Sequence, residues 1–195
     1  MKFDPQKHHR RSIRLKGYDY TQPGAYFVTL CTWHRETLLG DIIGGEMRLS
    51  AMGQIIEIEW RRLTDHFNHL ELGAFVIMPN HVNGILILST GEASAQIVSY
   101  PAEIRWADAS PQPPIGTQPG SLGAILQNLK SVSTRKINQL QCTPGAPVWQ
   151  RNYYEHIIRD EADWRRIAAY IQNNPARWTD DQLHPQASPD RFPKK

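Results

Sequence analysis

LELGAFVIMPNHVNGILIL, residues 70–88, reads as two strands joined by a tight turn. LELGAFVIM (70–78) and HVNGILIL (81–88) are apolar and rich in strand-forming residues, and Pro79 and Asn80 between them supply the turn chemistry of antiparallel partners. Alternate side chains of a strand share a face, so His81 and Asn83 point one way and Val82 the other, toward a core. A neutral imidazole nitrogen and an amide oxygen side by side form a donor pair for a hard divalent cation such as Mg2+ or Mn2+. Such a pair after a turn more often satisfies turn carbonyls, so it needs a second feature before it reads as a site.

Outward from this hairpin, AYFVTLCTW (25–33) reads as a first strand, and the Gly-Gly of LLGDIIGGEMRLS (38–50) as the turn of a short hairpin. Ile55, Ile56, Trp60 and Leu63 give helical spacing over 51–67. Residues 89–120 carry five prolines and read as a loop within one domain. Ser121 caps a helix over 122–141 with Leu122, Ile125, Leu126, Leu129 and Ile137 inward. VWQRNYYEHIIR (148–159) leads to a last helix over 160–174, opened by Asp160 and stopped by Pro175, and the final twenty residues read as largely unstructured. Two strand-rich segments, each with its helices and without βα alternation, predict an α+β fold: an antiparallel sheet with helices packed on one face.

The chain has 195 residues and a formal charge of +3, a mild excess compatible with a polyanionic partner. Its positive charge is concentrated in MKFDPQKHHRRSIRLKG, where Arg10, Arg11, Arg14 and Lys16 make a basic arm that reads either as a solvated tail or as a phosphate contact. Cys31 and Cys142 lack CxxC spacing, which excludes a disulfide framework and a thiolate zinc site and fits a cytoplasmic location. No apolar run reaches the roughly 20 residues of a membrane span, so no membrane partner is expected.

The second feature comes from AYIQNNP in the last helix, where Tyr170 and Asn174 stand four apart on one helical face. A tyrosine hydroxyl is a covalent nucleophile when its electrophile is polarised by a metal or cations, and the amide one turn later is a further oxygen donor. By spacing alone, a tyrosine packed at a helix end beside an asparagine capping near Pro175 is the better explanation of the pair.

Several spaced motifs together carry more. GYDYTQPGAYFVTLCTW, GEMRLS, AFVIMPNHVNGILI, LKSVSTRKIN and WQRNYYEHIIRDEADWRRIAAYIQNNP occur in the order found in REP-associated tyrosine transposases, and the chain resembles that family from about Arg10 to Trp178. The resemblance implies a ferredoxin-like domain of the single-tyrosine HUH type that cleaves and rejoins single-stranded DNA beside hairpins. It divides the chain into a basic arm (1–20), one transposase domain (21–178) and a C-terminal tail (179–195). Carried across, His81 matches the first metal-binding histidine, Tyr170 the nucleophile and Asn174 the third ligand. Asn83 stands where the family has its second histidine, a departure that weakens transition-metal binding more than Mg2+ binding.

The resemblance further implies a Mg2+ or Mn2+ cofactor, a hairpin-bearing single-stranded DNA partner, a monomer or homodimer, and nucleoid association. The DNA contacts expected from charge are Arg10, Arg11, Arg14 and Lys16 in the arm and Lys130, Arg135 and Lys136 in the long helix, with Tyr18, Tyr20 and Trp33 as stacking candidates. Two alternatives remain open. One is a domesticated hairpin-binding protein that lost cleavage through Asn83. The other is an unrelated ferredoxin-like RNA-binding module, against which the lack of an aromatic RNP-type strand counts.

Overall fold

The computed structural model describes residues 18–89 and 118–187. The chain runs through β1 (Gly24–Cys31), a 3-10 turn (Trp33–Arg35), β2 (Gly40–Ile43), β3 (Glu46–Leu49), α1 (Ala51–Arg61), α2 (Leu63–His66), β4 (Leu70–Met78) and β5 (His81–Leu88). After the undescribed segment come α3 (Leu122–Gln141), β6 (Tyr154–Ile158), α4 (Glu161–Asn173) and a second 3-10 turn (Pro175–Asp180). Residues 1–17 of the basic arm and most of the Pro-rich loop lie outside the described residues.

Four strands form an antiparallel sheet in the order β4-β5-β1-β6, with the β2–β3 hairpin as a separate ribbon. Leaving that ribbon, α2 and the final α4 aside, the order strand, helix, strand, strand, helix, strand with β1 and β5 at the centre is the expected ferredoxin-like α+β arrangement. Local chemistry accounts for the joints. Gly44 and Gly45 both have positive φ, 61° and 82°, which a two-residue hairpin turn favours and side-chain-bearing residues resist. Ser50, Ser121 and Asp160 each accept a backbone N–H at the start of α1, α3 and α4. The helix expected over 51–67 is divided at Arg62 into α1 and α2.

The sheet is covered on both faces. Tyr26, Val28, Leu30, Val82 and Leu86 join Ile56 and Trp60 of α1 and Ile125, Leu126 and Leu129 of α3 in the larger core. Ala25, Phe27, Ile85 and Ile158 meet Ile167 and Ile171 of α4 on the opposite face. Placing all helices on one face was therefore right for α1 and α3 and wrong for α4. The physical reason is legible in β5, whose Ile85, Leu86, Ile87 and Leu88 form a continuous apolar run: a strand apolar on both faces needs cover on both.

The C-terminal tail also needs correction, as far as Ala187. Trp178 is buried, and Leu183 O accepts a hydrogen bond from Asn80 Nδ2 at 2.7 Å, so the chain beyond α4 is packed back onto the β4–β5 turn.

Gly84 is demanded by packing. A Cβ there would stand 2.3 Å from Trp60 Cζ2 and 2.5 Å from Cη2, and Trp60 is itself held stacked on Phe75 at 5.5 Å between ring centres. Gly84→Ala is expected to destabilise the fold by about 1–3 kcal/mol, read as a lower urea midpoint with an unchanged m-value.

Candidate functional site

The β1–β5 register sets Cys31 opposite His81 and Thr29 opposite Asn83, all on the α4 face. From the other side α4 brings Tyr170, whose ring meets Phe27 edge-on at 6.0 Å, and Asn174 at its C-terminal end. Sheet and helix thus bring together His81, Asn83, Tyr170 and Asn174, residues separated by up to 93 positions in sequence. They border an open cleft of about 1080 Å³ whose wall includes Thr29, Cys31, Arg35, Tyr170, Asn174 and Asp181. His81 and Asn83 lie behind that wall, fully buried.

His81 is held in one tautomer. Asn80 Nδ2 donates to Arg35 O at 3.2 Å and Leu183 O at 2.7 Å, which leaves Asn80 Oδ1 facing His81 Nδ1 at 2.9 Å. An amide oxygen only accepts, so Nδ1 carries the proton and Nε2 presents its lone pair. That lone pair has no hydrogen-bond partner, and the nearest anion, Asp181 Oδ2, lies 3.8 Å away. Burial first, and Arg35 second, push the imidazole pKa down to about 3, while Asn174 pulls weakly the other way, so His81 is neutral and able to ligate.

The remaining polar groups are similarly poised. Asn83 Oδ1 accepts from Thr29 Oγ1 at 2.6 Å, leaving Nδ2 without a partner, and both amide atoms of the buried Asn174 lack one. Burial pushes the Tyr170 hydroxyl pKa up, with Asp181 adding to it, whereas Asn174, Asn83 and Arg177 favour the phenolate. Neither amide makes a hydrogen bond of full geometry to that hydroxyl, so their effect is one of proximity. The Tyr170 residue remains 45% exposed, which leaves its ring reachable from the cleft while its hydroxyl is partly desolvated. Burial raises the Cys31 thiol, which therefore stays protonated rather than acting as a thiolate ligand.

Among the described residues no three His, Cys, Asp or Glu side chains gather as a metal cluster. A cation here would rely on one imidazole, on amide oxygens and on Asp181. That donor set fits Mg2+ or Mn2+ better than a soft ion, and the orphaned Nε2 of His81 and amide of Asn174 are what an absent ligand partner would satisfy.

The residues expected to contact DNA are placed apart. Arg10, Arg11, Arg14 and Lys16 lie outside the described residues. Lys130 donates to the carbonyls of Gln150, Arg151 and Asn152, fastening a loop at the cleft rim. Lys136 pairs with the buried Glu59 at 2.6 Å, tying α3 to α1, and with the exposed Arg135 belongs to a helix across the sheet from α4. Tyr18 and Tyr20 pack with Tyr26 against that same far core and are not stacking platforms of the cleft. Trp33 is half-buried with its ring edge-on to His34.

Three contributors escaped sequence reasoning. Asn80 looked like an ordinary turn residue, Asp181 fell in the supposed tail, and Arg35 sits in a 3-10 turn where it and His34 have positive φ, 58° and 52°. Such backbone at non-glycine positions is concentrated at functional sites.

No family model matches the chain. It is 40% identical over 186 residues to an uncharacterized protein of Haemophilus influenzae, the match covering 94% of this chain and 97% of that one. The two belong to one family. Among solved structures, the chain is similar to a REP-associated tyrosine transposase bound to a REP hairpin, at a TM-score of 0.51 and 20% identity over 88% of this chain and 73% of that one. The chain shares the fold of that structure. No helix among the described residues is long and apolar enough to cross a membrane.

Because the folded-state pKa of His81 is depressed, the unfolded chain binds the extra proton between about pH 6.5 and 3, and stability falls as pH drops through that window. With chelator present, the wild type is expected to lose up to about 1.4 kcal/mol per pH unit more than His81→Gln between pH 6 and 4, measured by urea unfolding.

Proposed function

We propose that the chain is a single-stranded DNA transesterase that cleaves beside DNA hairpins, with Tyr170 as nucleophile and a divalent cation held by His81, Asn83 and Asn174. The observation that carries this reading is the convergence of a neutral, tautomer-fixed His81, two buried amides and a half-exposed tyrosine at one end of an open cleft. The likeness in fold to a hairpin-bound transposase supports it.

The cation would supply charge withdrawal at the scissile phosphate. Tyr170 loses its phenolic proton and its oxygen attacks phosphorus; the P–O3′ bond breaks, the 3′ oxygen leaves as a hydroxyl, and the DNA 5′ phosphate remains esterified to Tyr170. A 3′ hydroxyl from another end reverses the step and joins the strands without ATP. Arg35 and Arg177, which line the cleft, are assigned to the flanking phosphates and the basic arm to the hairpin. With a labelled hairpin oligonucleotide and Mg2+ or Mn2+, Tyr170→Phe is expected to abolish the covalent protein–DNA adduct while hairpin affinity stays within a few-fold. An adduct that persists in the Phe variant would transfer the role to Tyr154, the other exposed tyrosine of the cleft.

A second reading, a hairpin-binding protein without cleavage, is favoured by one contact: Thr29 already occupies Asn83 Oδ1. Asn83→His tests it. The added imidazole is expected to raise cation affinity and to shift preference from Mg2+ toward Mn2+. Cleavage gained from an inert parent would establish the binding role, whereas a parent that cleaves as well as the variant would dismiss it.

A further inference from the structure

Two bases face each other in the buried layer beneath the cleft. His81 Nε2 presents a lone pair, because Asn80 holds the proton on Nδ1, and 3.8 Å away stands the carboxylate oxygen Oδ2 of Asp181. The His81 side chain is 0% and the Asp181 side chain 8% exposed, so water screens little of the repulsion between them. No proton bridges them while the imidazole is neutral. Two buried acceptors held this way are stabilised by a cation between them.

Asp181 is also oriented for the purpose. Its Oδ1 accepts from Leu183 N at 2.7 Å, which sets the carboxylate and leaves Oδ2 for His81. The segment that carries it is fastened from two sides: Asn80 Nδ2 donates to Leu183 O, and Trp178, three residues earlier, lies 6.0 Å from the His81 ring. Asn174, just before this segment, is buried with both amide atoms unpartnered beside His81 and Tyr170. Ligands each about 2.1 Å from one octahedral ion stand about 3.0 Å apart when adjacent, so the two atoms, now 3.8 Å apart, would close by about 0.8 Å on binding a common ion. Asn83 is less well placed, since Thr29 engages its oxygen.

We propose that Asp181 is a metal ligand of this site, binding a divalent cation through Oδ2 together with His81 Nε2 and Asn174 Oδ1. The assignment rests on the cation site of the proposed function and changes its chemistry. An imidazole, a carboxylate and an amide make an oxygen-dominated set suited to Mg2+ and Mn2+, with one negative charge contributed by the protein. The carboxylate comes from the segment after α4, so the ligand set closes only when that segment is folded back on the β4–β5 turn.

The test is calorimetric titration of the full chain, free of DNA, with Mn2+ and with Mg2+. Asp181→Asn retains the acceptor for Leu183 and is expected to weaken binding at least tenfold, and His81→Ala to abolish it. Asp181→Cys provides a readout that a purely structural residue would not move: relative to the wild type, which holds the same Cys31, its preference for Cd2+ over Mg2+ is expected to rise more than tenfold. This comparison also stands if Asp181→Asn proves unstable. A wild type that binds the ions while Asp181→Asn binds them equally well, and Asp181→Cys shows no shift toward Cd2+, overturns the ligand assignment and leaves the Tyr170 reading intact. A wild type that binds neither ion overturns both.

Discussion

The hydrogen bonds of Asn80 hold the site together. Fully buried, its amide donates to carbonyls from the turn after β1 and from the C-terminal segment, and its oxygen fixes the neighbouring imidazole. Its backbone carbonyl accepts from both Thr32 N, at 2.9 Å, and Thr32 Oγ1, at 3.0 Å. Two segments distant in sequence are thereby closed on one residue of a tight turn. A buried amide with all these groups engaged is costly to disturb, because removing it would orphan two carbonyls and a ring N–H away from water. The proton on His81 Nδ1, the exposed lone pair on Nε2 and the position of Asp181 all follow from that arrangement.

Desolvation then sets the chemistry. Burial beneath α4 strips the imidazole of its proton, raises the Cys31 thiol and makes the Tyr170 hydroxyl harder to ionise without help. Burial also raises the Asp181 pKa, offset in part by the Leu183 N–H, His184 and Arg35. These shifts leave a cluster rich in acceptors and poor in charge, an environment whose electrostatics a single divalent ion would dominate. Placing α4 on this face, away from α1 and α3, gives the tyrosine access to the cleft while its helix buries Ile167 and Ile171.

The charged residues of α3 illustrate how composition misleads about partners. Lys130 and Lys136 look available on a helical wheel, yet one holds three loop carbonyls and the other neutralises a carboxylate between two helices. A surface lysine within reach of a buried acceptor satisfies it, because leaving Glu59 buried and unpaired would be expensive. The cleft wall instead holds Arg35, Arg166 and Arg177, far apart from one another in sequence and assembled by the fold, with Arg166 paired to Asp163.

Local sequence determined the strands, the capped helices, the Gly-Gly turn and the α+β class, because alternation, capping side chains and positive-φ glycines act over a few residues. It also singled out His81, Asn83, Tyr170 and Asn174, through the shared face of a strand and the one-turn spacing of a helix. Their assembly into one site required tertiary structure, since strand and helix periodicities say which residues share a face and not which faces meet. The side of the sheet that α4 covers, the tautomer that Asn80 imposes and the return of Asp181 to His81 depend on contacts between segments some 100 residues apart. No local pattern encodes such contacts; they arise when burial of Trp178 and hydrogen bonding of Leu183 to Asn80 close the chain on itself.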